Sequence, residues 1–368
     1  MRTSFLLPLF ALATPAIAQT TPPGPPPRPP AAPVTAAISA AVVQSLAHEL
    51  RARYVFPDVA DAVAKALAAR QAHGGYASAT TSTALADTLT ADLRATGKDA
   101  HFRVRYAPGF QAPPADDAKP LSPAAVIEAQ HEAAQQAYGI SRVQRLPGNI
   151  GYLDLRGFGP TEFVAGAYES AISLLSGADA LIIDLRQNGG GEPQSVAELI
   201  SHLYAEGESR HLNDLYFRAD NSTRAFWTNP AAKTRYTGPI WLLTSHDTFS
   251  GGEEFAYDLQ TQKRATLVGD TTGGGANPGD RVKLAEGYVA FIPTGRAINP
   301  ITKTNWEHVG VVPDVPVPAA TAMKTAYVAV LKSLLASATD PEQRDGLSAT
   351  LARVEKDEIQ LPAYTPRR

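Results

Sequence analysis

The sequence predicts an α/β protein, in which a layered α/β core follows a small helical domain. Between residues 146 and 340, apolar runs typical of buried strands alternate with helical patterns, as in layered α/β domains. Between residues 36 and 93 the apolar residues recur at helical spacing. With 368 residues, of which 44% are hydrophobic and 19% charged, the chain is long enough to bury a sizeable core.

Composition excludes several classes of function. The formal net charge of −3 gives no reason to expect nucleic acid or an anionic membrane as a partner. The absence of cysteine removes disulfides, thiolate nucleophiles and cysteine-ligated metals together. We expect no cofactor, and the sequence leaves the oligomeric state open.

The N-terminus has the pattern of an export signal. Arg2 precedes an apolar run from residue 5 to residue 13, and an Ala-Ile-Ala sequence ends at Ala18. We predict a signal peptide over residues 1–18, and therefore a periplasmic or extracellular protein. The run is too short for a bilayer span, so no stable membrane insertion is expected. Residues 19–34 are rich in proline and predict an extended tether.

Residues 35–112 predict a helical domain that ends in a strand. His101, Arg103 and Arg105 alternate with apolar or aromatic residues from Phe102 to Tyr106, as a strand requires. A lone histidine where a helical pattern stops is usually an exposed loop residue. Three helices are predicted before it, by Val42, Val43, Leu46 and Leu50, by Val59, Val63 and Leu67, and by Leu85, Leu89 and Leu93.

The remaining chain is predicted as a linker, a core and a C-terminal extension. Residues 113–145 form the linker, with a weak helix, residues 146–340 the core, and residues 341–368 a C-terminal helix and tail. Core strands are predicted at 149–155, 178–185, 214–218, 240–243, 265–268 and 289–292, and core helices at 161–175, with Thr161 as cap, at 193–204, after Ser250 and at 321–337.

Ser250 lies between a predicted strand and a helix N-terminus. Unpaired backbone N–H groups and the helix dipole favour a developing negative charge there. Gly251 and Gly252 follow and would let a carbonyl group approach closely. These features suit an acyl-transfer nucleophile. On these residues alone, however, a simple helix cap is the favoured interpretation.

Two further motifs leave alternatives open. The glycines at 189–191 lack the endings of phosphate and dinucleotide loops, so they form either a tight turn or a source of oxyanion donors. None of the eight histidines has metal-ligand spacing, so no metal site is predicted. His101, His246 and His308 are all candidates for the base of a serine nucleophile. A G-x-S-x-G sequence is absent around Ser250, which argues against an α/β-hydrolase.

Three long stretches resemble one peptidase family. DLRQNGGG, TSHDTFSGGEEFAYDLQTQKRATLVGDTTGGGANPGD and GRAINPITKTNWEHVGVVPD resemble the tail-specific (C-terminal processing) serine peptidases. Within that family the chain looks like the branch of interphotoreceptor retinoid-binding protein modules and tricorn protease cores. The resemblance covers essentially the whole mature chain. It implies a crotonase-like (ClpP/crotonase) spiral of strand-strand-helix units with a small three-helix domain beside it. No segment resembles a PDZ domain.

The resemblance also implies the roles of site residues. Ser250 matches the family's nucleophile, whereas Gly274 stands where the processing branch has its lysine, which argues against a Ser-Lys dyad. His101 and Glu307 match the histidine and glutamate of the tricorn-like branch. The implied oxyanion donors are the N–H of Gly251 and one from the Gly189-Gly190 loop.

The function implied is a secreted serine endopeptidase acting on peptides or proteins. The alternative is a catalytically silent binding protein for a lipid or retinoid-like ligand, because the branch includes carriers on the same fold. Two positions depart from the family pattern. His308 follows Glu307 where a glycine is common, and Asp247 stands where a basic residue is frequent.

Overall fold

A computed structural model gives the structure of the chain and describes residues 30–111 and 122–366. The predicted signal peptide, most of the tether and the start of the predicted linker lie outside the described residues. Within these ranges, no helix is both long enough and apolar enough to cross a membrane.

The described residues form helices and strands that alternate through the second half of the chain. The helices are α1 (Ala36–Arg53), α2 (Pro57–Ala72), α3 (Ser82–Gly97), α4 (Pro123–Gln135), α5 (Thr161–Leu175), α6 (Pro193–Ser201), α7 (Gly251–Thr261), α8 (Ala319–Ser337) and α9 (Pro341–Glu355). The strands are β1 (Arg103–Tyr106), β2 (Ile140–Leu146), β3 (Ile150–Leu155), β4 (Ala180–Asp184), β5 (His211–Phe217), β6 (Ser222–Trp227), β7 (Ile240–Thr244), β8 (Thr266–Gly269), β9 (Gly279–Lys283), β10 (Tyr288–Pro293), β11 (Gly295–Ile298) and β12 (Val315–Pro316).

A six-stranded sheet in the order β12-β8-β7-β4-β3-β2 forms the centre of the core. Its strands are parallel except at the β2–β3 pair. Helices α5, α6 and α7 cover one face and α8 and α9 the other. Because both faces are covered, β3, β4 and β7 are almost continuously apolar. The predicted mixed α/β class is therefore confirmed.

The N-terminal helices follow local sequence signals. The side chain of Thr35 caps α1 by accepting from the N–H of Ile38, and Thr81 caps α3 in the same way. Pro57 occupies the first turn of α2, where a missing N–H costs nothing. The apolar faces of these helices pack together with one face of the sheet β1-β10-β9. The prediction of a helical N-terminal region is confirmed.

Several local predictions were wrong. Thr161 does not cap α5, because Pro160 occupies the N-cap and the Thr161 hydroxyl instead contacts the hydroxyl of Ser195 at 2.8 Å. Helix α6 ends at Ser201 rather than at Tyr204. Strands β2, β6 and β9 were not predicted, because each carries charged or hydroxyl side chains and lies at a sheet edge.

The topology places two loops side by side. β4 and β7 are parallel neighbours in the middle of the large sheet, so their carboxyl ends lie at the same edge. β4 runs into the loop that contains residues 185–191, and β7 into the turn that contains Ser250. Carboxyl ends of central strands are where ligands bind in α/β sheets.

Candidate active site

Ser250 occupies a strained turn between β7 and α7. Its backbone has φ 54° and ψ −123°, a region that residues with a side chain rarely adopt. The N–H of Ser250 donates to Oε2 of Glu253 at 2.8 Å, which holds the turn in place. A Cβ on Gly190 would lie 2.7 Å from the Ser250 Cβ, so only glycine permits this approach of the two loops.

Two unused backbone N–H groups lie beside the serine. Within the described part of the chain, neither Gly251 nor Gly191 donates a backbone hydrogen bond. The position of a Cβ on Gly251 would be 3.0 Å from the Gly191 nitrogen, so the two residues are adjacent. By contrast, the N–H of Gly189 donates to the Arg156 carbonyl oxygen and that of Gly190 to Oδ1 of Asn188. The sequence predicted a second oxyanion donor from the Gly189-Gly190 loop, but the N–H groups of both residues are engaged, whereas that of Gly191 is unused among the described residues.

Glu253 joins the serine turn to the loop at residues 272–275. Its side chain is fully buried, and burial raises the pKa of its carboxyl group, against the effect of its hydrogen bonds. The Thr272 hydroxyl accepts from the N–H of Val311, so its own proton is directed at Glu253. Among the described residues, the donors to Glu253 are the N–H groups of Ser250, Gly274 and Gly275 and the hydroxyl of Thr272.

His101 lies beside Phe249, the residue that precedes Ser250. Its ring centroid is 4.6 Å from that of Phe249 and 5.9 Å from that of Phe291. The side chain is 9% exposed, and neither ring nitrogen has a hydrogen-bond partner among the described residues. Of the three candidate histidines, His246 and His308 are exposed, and His101 alone is buried at this position.

Glu307 and Asp99 lie next to His101. Oxygen and ring nitrogen atoms of the three side chains lie within 4.8 Å of one another, a spacing that would also suit a bound cation. Oε2 of Glu307 accepts from the N–H of Ala276 at 2.5 Å, whereas Oε1 is buried without a hydrogen-bond partner among the described residues and lies 3.5 Å from Nδ1 of His308. Burial, and then the charge of Asp99, raises the pKa of Glu307 to about 8.

Sequence reasoning missed Asp99. Its side chain is fully buried and accepts hydrogen bonds from the Tyr54 hydroxyl, the N–H of His101 and Nδ2 of Asn277. Nδ1 of His101 lies 3.7 Å from Oδ1 of Asp99. The sequence Asp-Ala-His was a visible signal, because an acid two residues before a histidine can fix the local turn.

Gly274 stands where the family resemblance led us to expect a lysine in the processing branch. Its φ of +80° disfavours any side chain, and a Cβ there would approach the His308 carbonyl carbon to 3.1 Å. Its N–H is one of the donors to Glu253. The loop that would carry a lysine is instead held as a hydrogen-bonded support for the serine turn.

Two more carboxyl groups, which the sequence analysis did not single out, lie on α7, the helix that follows Ser250. Glu254 and Asp258 are four residues apart on the helix and both are buried. Nδ2 of Asn213 donates to Glu254, and Nδ2 of Asn299 donates to Asp258. Burial raises the pKa of Glu254 to about 7, and burial together with the charge of Glu254 raises that of Asp258.

Comparison with known proteins assigns the family. Residues 149–317 match the family model of peptidase family S41. Residues 34–143 match the model described as the N-terminal domain of peptidase S41 in eukaryotic IRBP. Together the two matches cover most of the chain. The chain belongs to peptidase family S41. The resemblance expected from the sequence is thereby confirmed.

Named relatives of this S41 chain include processing peptidases. Carboxyl-terminal-processing peptidase 2, chloroplastic, from Arabidopsis thaliana is 29% identical over 192 residues, which are 48% of this chain and 35% of the relative. A carboxyl-terminal-processing protease from Synechocystis sp. is 30% identical over 131 residues, which are 34% of this chain and 28% of the relative. The S41 chain thus aligns with about a third of these relatives' length.

A solved structure supports the fold. A crystal structure of a Parabacteroides merdae protein superposes with a TM-score of 0.53 at 18% identity, covering 88% of this chain and 99% of that protein. At this identity the likeness shows that the S41 chain shares a fold, without assigning a function.

Proposed function

We propose that this S41 chain is an exported serine endopeptidase that uses Ser250, His101 and Glu307. The observation that carries the proposal is the serine turn. Ser250 lies in a strained conformation, next to two unused backbone N–H groups and to the Phe249 ring that packs on His101. Strain of this kind concentrates at functional sites, and a merely structural helix cap would have no need of it.

In the proposed reaction, Oγ of Ser250 attacks the carbonyl carbon of a peptide bond while His101 takes the hydroxyl proton. The N–H groups of Gly251 and Gly191 donate to the oxyanion that forms. The C–N bond then breaks, and His101 returns the proton to the leaving amine. Water then attacks the acyl-serine ester while His101 takes a proton from it. The ester bond breaks, and His101 returns the proton to Oγ of Ser250.

Glu307 acts through His101. Its carboxylate lies within 4.8 Å of the imidazole, so it stabilises the imidazolium by about 3 kcal/mol at an effective dielectric constant near 20. The imidazolium in turn favours the ionised form of Glu307, although burial and Asp99 raise the pKa of that carboxyl group. Glu307 therefore stabilises the positive charge that His101 gains during the reaction, without needing a direct hydrogen bond to it at rest.

We infer a crotonase-like spiral without a PDZ domain, with domain boundaries at 35–112, 113–145 and 146–340. We infer export from the signal-like segment over residues 1–18. An exported protein would reach the periplasm or the extracellular space.

A carrier of hydrophobic ligands is the second candidate. It is favoured by the match of residues 34–143 to a domain of IRBP, the retinoid-binding protein named above. The carrier would need no free donors beside Ser250 and no buried base, and the catalytic proposal accounts for both. Titration of the purified protein with retinol or a fatty acid, followed by fluorescence, tests this candidate directly, and saturable binding would support it.

The peptidase proposal is tested by labelling with a serine-directed fluorophosphonate probe. We expect the wild-type protein to be labelled and Ser250→Ala and His101→Ala to lose the label. Ser348→Ala, an exposed serine on α9, is the matched control and should label like the wild type. A wild-type protein that stays unlabelled between pH 6 and pH 9, or a Ser250→Ala variant that still labels, would contradict the proposal.

A further inference from the structure

The small sheet β1-β10-β9 has one apolar face and one basic face. Its even-numbered residues, such as Val104, Ala290 and Val282, lie in a row and pack on the N-terminal helices. The odd-numbered residues lie on the opposite face, because side chains alternate along a strand. On β1, this odd face carries the polar residues of the alternation that the sequence shows from residue 101 to residue 106.

Cationic side chains occupy the odd face in two rows. In the first row Arg103 and Arg281 flank Phe291, as the register of the three strands requires. In the second row Arg105 and Lys283 flank Val289. All four cationic residues are exposed. The face therefore carries four basic side chains close together.

The basic face begins at the proposed catalytic base. His101 lies two residues before the first residue of β1, and its ring stacks on that of Phe291 in the first row. Residues two apart along a strand are about 7 Å apart, so the second row lies about 7 Å farther from the base than the first. A substrate that reaches His101 in an extended conformation would pass these charges at every second residue.

We propose that the basic face formed by Arg103, Arg105, Arg281 and Lys283 selects peptide substrates with acidic side chains. The proposal rests on the peptidase function proposed above. Because an extended peptide advances about 3.4 Å per residue, the acidic residues should stand about two and four residues from the scissile bond, on one side of it. Opposite charges on exposed groups act mainly through local attraction, which salt weakens.

The experiment starts from a mixture of peptides of diverse sequence, whose cleavage sites are identified by mass spectrometry. Aspartate or glutamate should be enriched about two and four residues from the cleaved bond. One cleaved acidic peptide and its Asn/Gln counterpart are then compared by kcat/KM. The ratio of acidic to neutral kcat/KM should fall roughly tenfold in the Arg281→Glu/Lys283→Glu variant, since each exposed charge contributes up to about 1 kcal/mol. It should also fall with added salt.

The matched control is Lys233→Glu/Lys356→Glu, which makes the same charge change at two exposed lysines outside this sheet. It should keep the wild-type ratio. Fluorophosphonate labelling of every variant reports whether the serine site is intact. Labelled enzyme that cleaves acidic and neutral peptides equally, or whose preference survives the charge reversal, overturns the basic-face proposal and leaves the peptidase proposal standing. Protein that neither labels nor cleaves overturns both.

Discussion

Glu253 and Glu307 are two buried glutamates of the same site with opposite surroundings. Within the described residues, the two oxygens of Glu253 accept four hydrogen bonds, from Ser250, Thr272, Gly274 and Gly275. Glu307 accepts from the N–H of Ala276 through Oε2, whereas Oε1 has no hydrogen-bond partner there and lies 3.5 Å from Nδ1 of His308.

The difference shows how surroundings assign a role to a side chain. Donors aimed at a carboxylate favour its charged form and fix its position, so Glu253 acts as a structural support for the serine turn. Glu307 has one oxygen without a hydrogen-bond donor, and burial together with the charge of Asp99 raises its pKa to about 8. A carboxyl group that changes charge near neutral pH suits the electrostatic stabilisation of a charge that forms during catalysis, as proposed for the imidazolium of His101.

Removing the charge of Glu253 should have the largest effect on stability. Glu253→Gln would point an amide N–H₂ at N–H and hydroxyl donors, leaving at least two buried donors without an acceptor. We expect the free energy of unfolding to fall by roughly 3 kcal/mol, measured by urea denaturation. Glu206→Gln, at an exposed glutamate, should leave it unchanged. If Glu253→Gln were as stable as the wild type, Glu253 would not be a structural support of the serine turn.

Glu307→Gln should reduce activity rather than stability. We expect kcat/KM to fall on the order of a hundredfold, because the variant loses about 3 kcal/mol of imidazolium stabilisation, while the urea midpoint stays near that of the wild type. In the wild type kcat/KM should rise with pH through about 8, as Glu307 loses its proton. That limb should be absent from the variant.

Kinetics with a cleaved peptide over pH 5.5–9.5 measure both effects. Glu286→Gln, an exposed glutamate next to β10, serves as control and should reproduce the wild-type profile. If Glu307→Gln destabilised the fold as Glu253→Gln does, the contrast between the two glutamates would be lost.

Asp99→Asn should shift the pH profile more than it changes the maximum rate. The charge of Asp99 raises the pKa of Glu307, so its removal should move the rise in kcat/KM to lower pH. The variant should then reach a severalfold larger fraction of its own maximum at pH 7. The asparagine oxygen can still accept from the N–H of His101, which now binds Oδ1. An unshifted profile would mean that Asp99 does not tune Glu307.

The sequence predicted the parts of the fold that are locally encoded. β3, β4 and β7 were found because buried parallel strands are continuous apolar runs. β2 and β9 were missed because their pattern mixes charged and apolar residues, and their pairing partners decide their conformation.

The candidate site residues also differ in whether local sequence encodes them. The Ser250 turn could be read from one stretch of sequence, because a strand, a glycine pair and a helix meet there. His101 and Glu307 could be chosen only by family resemblance, since β1 approaches the core through its pairing with β10, far along the chain. Asp99 and the donor role of Gly191 depend on side-chain and backbone contacts that no local pattern encodes.

The smallest effect should come from Glu254, a third buried glutamate that is neither well supported nor near His101. Its pKa in the folded protein is raised to about 7, so the native state binds more protons than the unfolded state between about pH 4.5 and pH 7. Stability from this group is therefore present at low pH and is lost as the pH rises through that window.

We expect the melting temperature of the wild type to fall by a few degrees between pH 5 and pH 7.5, and Glu254→Gln to reduce this fall because it cannot ionise. Thermal scans of both proteins, with Glu206→Gln as control, measure the difference. Glu254→Gln with the full wild-type dependence would show that Glu254 is already ionised at pH 5. Asn213, its hydrogen-bond donor, would then support it as the four donors support Glu253.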